Sequence, residues 1–320
     1  MALQTSGAIS LNEIHVEAGG SSGSQATIND SDIRGLIGKS SGAQMSFSEW
    51  YGATAEVVLT SGGNVNGQAQ RKQITVSSFI SSGGTLRIPS NIWVWSDSTS
   101  TAALTVDIPC TIINEGKIIG KGGLGGYGSY NSNSGTNGTS GGPAIKVQSS
   151  GVTIQNSSGA YIAGGGGGGG VSTNAGGGAP YYAGGGGGGA GGGNGNFGFS
   201  TVTFQGGTGG TLNASGTDGD PLTGSQRGRG GGAGGSGGQY TGGGGGGRIL
   251  PGVGGVGPSS SGDGGSAGNA GQNGGAGAGG GGWGASGGNG DDSNGGSGGA
   301  AISKTTSYTL SNSGTIYGST

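Results

Sequence analysis

The side chains that could carry out chemistry are few in this sequence. It contains one histidine, His15, and one cysteine, Cys110, among 320 residues. A nucleophilic triad would have to use His15, which lies in a helix-like segment far along the chain from any glycine-rich loop. A zinc site needs several cysteine, histidine or carboxylate ligands in one place, and the sequence does not supply them. We therefore expect His15 at a surface or an interface, without a catalytic role.

Two close pairs of carboxylates are the remaining candidates for a metal or catalytic site. Asp218-Gly-Asp220 and Asp291-Asp292 could contact calcium, but the calcium-binding nonapeptide repeat is missing from the sequence. A polysaccharide-cleaving enzyme would need paired carboxylates on a long β scaffold, and neither pair lies in a β-like segment. The sequence therefore predicts solvated loop carboxylates, no metal, no cofactor and no enzymatic activity.

Charge and hydropathy exclude several kinds of partner. The formal net charge is −2 and no basic stripe is present, which argues against nucleic-acid binding. No run of 18 apolar residues occurs, so no membrane-spanning helix is expected. The opening MALQTSGAISL lacks the basic and apolar regions of a signal peptide. A single cysteine excludes an internal disulfide framework.

Residues 1–52 are the part of the chain that reads as helical. Ser10-Leu-Asn-Glu13 is a capping-box pattern, and Asp30 or Ser31 could cap a second short helix. So few apolar side chains make a poor independent core, which predicts that this module docks on another protein. We expect it to be the attachment module, with these contact residues: Ile33, Leu36, Trp50 and Tyr51.

Residues 53–119 are predicted to form a short β-rich domain, because their apolar stretches are β-branched or alternating and end at Gly, Ser, Asn or Pro. Further along, three stretches share the pattern T-[IL]-x-N…G-x-I-x-G. We interpret each as a strand, an Asn-containing turn and a return strand, that is, a β-hairpin module. The copies are TIINEGKIIG (111–120), TIQNSSGAYIAG (153–164) and TLSNSGTIYG (309–318).

Residues 120–320 form the glycine-rich domain, and most of its long glycine runs lie between the second and third hairpin-like copies. Only 14 of the 94 glycines precede residue 120, and only two follow residue 300. Ordering a glycine costs about 0.5–1 kcal/mol more than ordering an alanine, so backbone hydrogen bonds must offset this entropy. Extended three-fold polyglycine helices can pair nearly every amide, because neighbours without Cβ atoms approach closely. We therefore predict a polyglycine-II helix bundle rather than a flexible spacer.

Aromatic and polar segments alternate with the glycine blocks. We predict that they form loops at the ends of the extended glycine helices, which are called struts below. A rigid scaffold that presents variable loops is typical of a recognition protein. Aromatic side chains offer contact area suited to sugars and to protein loops. The candidate receptor-binding residues are Tyr127, Tyr130, Tyr181, Tyr182, Phe197, Phe199, Phe204, Tyr240, Arg248, Ile249 and Leu250.

The residues also resemble a known family. The progression over 83–126, followed by GGPAIKVQSSGVTIQNSSGAYIAGGGGGGG (141–170), is similar to the glycine-rich tail-fibre and receptor-recognition adhesins of tailed bacteriophages. The opening SGAISLNEIHVEAGG together with SFSEWYGA resembles a short N-terminal module of phage virion proteins, with Trp50 at the first aromatic position.

The resemblance implies a protein of the virion tail, made in the host cytoplasm, whose loops between polyglycine helices contact a bacterial surface glycan or an outer-membrane protein. It also implies other tail or fibre proteins as partners, and a homotrimer is one possible assembly. The alternatives are a purely structural virion component without receptor contact and an ice-binding protein. An ice-binding face would show regularly spaced Thr or Ala, whereas the segments between the glycine blocks are irregular and aromatic.

Overall fold

The computed structural model describes residues 3–37, 39–53, 56–65, 68–80, 82–127, 135–171, 197–199, 203–205, 265, 268–273, 278–290 and 293–320. Regular structure in these residues is mostly β, as the composition predicts, with two short helices and two 3₁₀ turns. The 3₁₀ turns span Phe47–Trp50 and Val76–Ser78.

The N-terminal module contains both helices. Helix α1 (Leu11–Glu17) begins after Ser10, and the predicted capping box is present: the Ser10 hydroxyl accepts from the Glu13 amide while the Glu13 carboxylate accepts from the Ser10 amide. Helix α2 (Ser31–Gly35) begins after Asp30. The Asp30 carboxylate makes no cap bond, because it accepts from the amide and the hydroxyl of Thr27 instead.

This module has a core of its own. Leu3, Ile14, Ile33 and Trp50 are buried together, and the Trp50 indole N–H donates to the Ile33 carbonyl at 3.1 Å. The segment therefore has a buried cluster of its own, although its few apolar side chains predicted a poor core. Trp50 contributes the largest side chain of this cluster, and Leu3, Ile14 and Ile33 pack with it.

The remaining regular structure consists of 17 strands, β1 to β17 in chain order. They span Glu56–Val58, Gly63–Val65, Gln68–Lys72, Ile74–Thr75, Thr85–Ile88, Ile92–Trp95, Leu104–Val106, Thr111–Asn114, Lys117–Ile119, Ile145–Val147, Val152–Asn156, Tyr161–Ala163, Phe197–Phe199, Thr203–Gln205, Ile302–Lys304, Tyr308–Asn312 and Thr315–Tyr317.

Most of these strands build a three-sided parallel β-solenoid. The three large sheets have the strand orders β1-β5-β8-β11-β16, β15-β10-β7-β4 and β17-β12-β9-β6-β3-β2. Each coil therefore supplies one strand to each sheet, and the coils β4–β6, β7–β9, β10–β12 and β15–β17 stack on one another. Pairing between coils is parallel and in register, as between β11 and its neighbours β8 and β16.

The hairpin interpretation of the repeat was wrong. Within each copy the two strands belong to different sheets, and each pairs with the same strand of the next copy. The repeated asparagine explains this arrangement, because Asn114, Asn156 and Asn312 stack in register at one corner. The Asn114 amide donates to Asn156 Oδ1 at 2.8 Å, and the Asn156 amide donates to Asn312 Oδ1 at 2.7 Å.

The core of the solenoid lies along its axis, between the three sheets. Alternate residues of each strand point inward, so that Ile112 and Ile154 stack in one sheet and Ile118 and Ile162 in another, all fully buried. The glycine-rich stretches are insertions between coils: one follows β9 and the other follows β12. The residues after 119 therefore contribute strands to the same sheets as residues 53–119.

Candidate recognition surface and attachment module

The described glycine segments make a hydrogen-bonded lattice with a period of three residues. Every third amide of 120–126 donates to every third carbonyl of 163–169, each bond being 2.8 Å long. Every third amide of 278–284 donates to every third carbonyl of 164–170 at 2.8–3.0 Å, and these two segments run antiparallel. Segment 164–170 also bonds to 136–142, 285–288 and 296–299, and the Gly164 amide donates to the Tyr317 carbonyl of β17. Among the described residues it therefore bonds to six other segments.

Glycine is required in this lattice because the backbones approach too closely for a Cβ atom. A Cβ added to Gly168 would lie 1.8 Å from the Leu124 carbonyl oxygen, and one added to Gly167 would lie 1.8 Å from that of Gly296. The obstacle is a backbone atom in each case, so no side chain can rotate away to make room. The residues 164–170 are completely buried without forming an apolar core.

One candidate recognition residue, Tyr127, is hydrogen-bonded to Thr136. Its amide donates to the Thr136 hydroxyl at 2.6 Å, and the Thr136 amide donates back to the Tyr127 carbonyl at 2.8 Å. These bonds hold Tyr127 and Thr136 together at the end of two segments of the glycine lattice. The Tyr127 side chain is 37% exposed.

Leu124 is a second exposed residue on the same strut, and the sequence analysis missed it. Its side chain is 43% exposed. Leu124 precedes Tyr127 by three residues, so both lie on the same side of a strand that repeats every three residues. That spacing is the sequence signal that could have identified Leu124.

Phe197, Phe199 and Phe204 lie in a two-stranded antiparallel pair formed by β13 and β14. Phe204 is opposite Gly198 in this pair. The sequence predicted an irregular loop here, and the structure instead gives the three phenylalanines a strand backbone. The remaining candidates lie outside the described residues: Tyr130, Tyr181, Tyr182, Tyr240, Arg248, Ile249 and Leu250.

The predicted attachment residues divide into buried and exposed groups. Ile33 and Trp50 are completely buried within the N-terminal module, so they do not need a partner outside it. Leu36 is partly buried against the same core, whereas Tyr51 is 37% exposed. Val16 and Phe47, which the sequence analysis did not single out, are each 44% exposed and are the larger apolar surface of this module.

An aromatic cluster joins the glycine lattice to the solenoid. Trp283, from the glycine-rich segment, is completely buried against the outer face of the sheet that contains β6, β9 and β12. On that face Lys117 lies over the Trp93 ring at 4.7 Å, and burial lowers the pKa of its ammonium group. The rings of Tyr161 and Tyr317 stack with centroids 6.5 Å apart. The lattice is therefore held by side-chain packing as well as by backbone bonds.

The chemically reactive groups lie away from the lattice. The thiol of Cys110 is buried in the solenoid, and this burial raises its pKa to about 12, which disfavours the reactive thiolate. His15 Nε2 is 2.8 Å from the Ser24 hydroxyl within the N-terminal module. Over the described ranges, no three His, Cys, Asp or Glu residues come together to hold a metal, and no helix has the length and hydropathy to cross a membrane. Asp218, Asp220, Asp291 and Asp292 lie outside those ranges.

Comparison with known proteins supplies a family. Residues 54–241, more than half of the chain, match the family model described as phage tail fibre adhesin Gp38. No curated protein sequence gave a significant match. Among solved structures, the chain is similar to the crystal structure of the gp37-gp38 adhesin tip complex of the bacteriophage S16 long tail fiber, with 19% identity, a TM-score of 0.47 and 96% of each chain covered.

The family match begins at residue 54, directly after the N-terminal module, and it includes three of the four stacked coils and most of the glycine-rich segment. The predicted resemblance to phage tail-fibre adhesins is thus confirmed, and with it a place among virion tail components. The chain belongs to the phage tail fibre adhesin Gp38 family.

Proposed function

We propose that this protein recognises the bacterial host through loops at the ends of a polyglycine-II lattice that the β-solenoid supports. The observation that carries the proposal is the lattice itself, whose three-residue period and buried glycines hold Tyr127 and Thr136 in place on either side of a candidate recognition segment. Recognition surfaces are commonly built as variable loops on a rigid support. The action is binding without catalysis.

The proposed polyglycine-II helices are supported by hydrogen bonds in several directions. Amides of 164–170 donate to 136–142 and to 285–288, while carbonyls of the same segment accept from 120–126 and 296–299. An extended helix with three residues per turn directs its backbone groups outward in this way. Packing in which each strut bonds to several others offsets the entropy of ordering glycine, because the bonds of one strut are shared with all its neighbours.

The receptor is proposed to be a surface glycan or an outer-membrane protein, since half-exposed aromatic side chains can stack on sugars or pack on protein loops. The test is adsorption of phage to its host after replacement of Leu124 and Tyr127 by alanine. We expect slower adsorption with unchanged thermal unfolding. The matched control is Val58→Ala, which alters an equally exposed apolar side chain on the solenoid (50% exposed) and should leave adsorption unchanged.

The Tyr181 and Tyr182 pair, from the sequence analysis, should be tested in the same assay by replacing both with alanine. Normal adsorption by this variant and by the Leu124 and Tyr127 variant would favour a purely structural role in the fibre. A fall in adsorption together with a loss of folding would instead show that the aromatic side chains stabilise the strut ends.

The N-terminal module is proposed to attach the adhesin to other tail or fibre proteins. The separate core of residues 3–53 and the exposed Val16, Phe47 and Tyr51 support this proposal. Deletion of residues 1–52 should leave the rest of the chain folded and should prevent its incorporation into particles. Normal incorporation of the truncated protein would contradict the proposal. The oligomeric state, with a homotrimer as one candidate, follows from the mass of the purified full-length chain in solution.

A further inference from the structure

The last coil of the solenoid, formed by β15, β16 and β17, presents an open end. Each of these strands is the outermost strand of its sheet among the described residues. The Ser313 amide donates back to the Asn156 carbonyl, and alternate residues of a parallel strand direct their backbone groups to opposite sides. On β15 the outward-facing Ile302 amide donates to the Ser319 carbonyl at 3.1 Å, whereas no strand among the described residues pairs with the far side of β16 or β17.

The core is also open at this end. Leu310 and Ile316 are half-buried, whereas Ile154 and Ile162, their in-register partners one coil away, are completely buried. A groove of about 550 Å³ runs beside the Leu310 side chain. It is lined by Lys304, Thr305, Thr306, Ser307, Tyr308, Leu310 and Thr320.

Lys304 decides which partner could cover this surface. It is in register with Val147, and both Val147 and Val106 are completely buried in the coils behind it. A lysine at a core position of an edge strand opposes pairing with an identical strand, because the charge would be buried. Lys304 is exposed and is the only charged side chain in residues 301–320. A second copy of this chain docked end to end would bring two Lys304 charges together. A partner with a carboxylate at this position would instead neutralise the charge of Lys304.

We infer that this open end, defined as the outer edges of β16 and β17 with Lys304, Leu310 and Ile316, docks end to end on another virion protein. That protein presents strand edges around an apolar centre, with a carboxylate opposite Lys304. Strand addition provides backbone hydrogen bonds, and the charge pair provides specificity. The inference rests on the proposed role as a tail-fibre component, and it adds a docking surface separate from the N-terminal module.

The test uses the full-length protein and tail particles purified from phage that lack it. We expect Lys304→Glu to weaken binding to these particles by about tenfold or more, as rupture of an interfacial charge pair does. Lys146→Glu is the matched control, because Lys146 pairs with Ser303 in the same sheet but lies on its outer face. Leu310→Asp should weaken binding further, and its far-ultraviolet circular dichroism checks the fold.

A second measurement does not depend on the tail particles. Lys304→Val places at the open end the residue type of the two preceding coils, so it should self-associate in sedimentation velocity experiments while the wild-type protein does not. Particle binding by Lys304→Glu and Leu310→Asp equal to wild type would overturn the inference. Self-association of the wild-type chain that Lys304→Glu abolishes would also overturn it, in favour of a second copy.

The two proposals fail separately. Host-cell binding by the free Lys304→Glu protein should equal wild type, since the open end is not part of the recognition surface. Loss of particle docking with intact cell binding supports the inference. If neither the wild-type protein nor any variant binds cells, the receptor function is rejected. The particle-binding comparison of Lys304→Glu with wild type still tests the inference in that case.

Discussion

The lattice predicts that alanine at Gly168 destabilises the protein, although alanine is usually the less costly residue to order. The Cβ atom would lie 1.8 Å from the Leu124 carbonyl oxygen, and real Cβ contacts essentially never fall below 3.0 Å. Segment 120–126 must therefore move away by about 1.2 Å. The segment that contains Gly168 does not move in its place, because the Gly168 amide donates to the Thr139 carbonyl at 2.9 Å.

The size of the effect follows from the bonds that this movement breaks. Two bonds at 2.8 Å, from Gly123 and Gly126, join segment 120–126 to the strut. Lengthening them to about 4 Å places them outside hydrogen-bond range. Each buried group left without a partner costs about 1–3 kcal/mol. After subtraction of about 0.4–1 kcal/mol for the lower entropy of the unfolded alanine chain, the free energy of unfolding should fall by about 1–5 kcal/mol.

Gly63→Ala is the matched control for Gly168→Ala. Gly63 lies in β2 with nothing within 4 Å of its Cβ position, and its φ angle is not in the left-handed region. Guanidinium titration followed by tryptophan fluorescence should show a lower midpoint for Gly168→Ala and an unchanged or slightly higher one for Gly63→Ala. Hydrogen exchange should become faster across 120–126. Equal midpoints and equal exchange in the two variants would refute the close-packing argument.

Three further predictions concern the solenoid and its junction with the lattice. Asn156→Ala should lower the free energy of unfolding by about 2–4 kcal/mol, because it leaves buried amide groups without partners. Asn312 is exposed, so Asn312→Ala should lower it by less in the same denaturant titration. Equal losses would contradict a stabilising role for the stacked asparagines. Arg87 donates to the Glu56 carboxylate and lowers its pKa, so this contribution is present near neutral pH and is lost as pH falls through the lowered pKa. Both side chains are about one-third exposed, so the ion pair contributes less than about 1 kcal/mol. Glu56→Gln should make the free energy of unfolding depend less on pH on the acid side. An unchanged pH dependence would show that this ion pair does not contribute to stability. Trp283→Ala should cost about 3–5 kcal/mol and speed hydrogen exchange in 278–290, and unchanged exchange there would show that backbone bonds alone hold the lattice.

Sequence alone determined the local features of this protein. The Ser10–Glu13 capping box was predicted because its bonds join residues three apart, and the structure forms both. The repeat was visible because each solenoid coil places the same residue types at the same points. The glycine runs predicted close backbone approach for a local reason, since a residue without Cβ is needed wherever chains nearly touch.

Only the tertiary structure decided which strands pair. A strand, an asparagine turn and a second strand have the same local sequence in a hairpin and in a solenoid coil. The difference is the partner of Asn156, which is Asn312 in a coil 156 residues further along the chain. Trp50 illustrates the same limit, because the sequence predicted an attachment residue and the structure places it in the core of the N-terminal module. Its burial depends on Ile14 and Ile33 meeting it from separate helices, and the sequence pattern of one segment does not contain that contact.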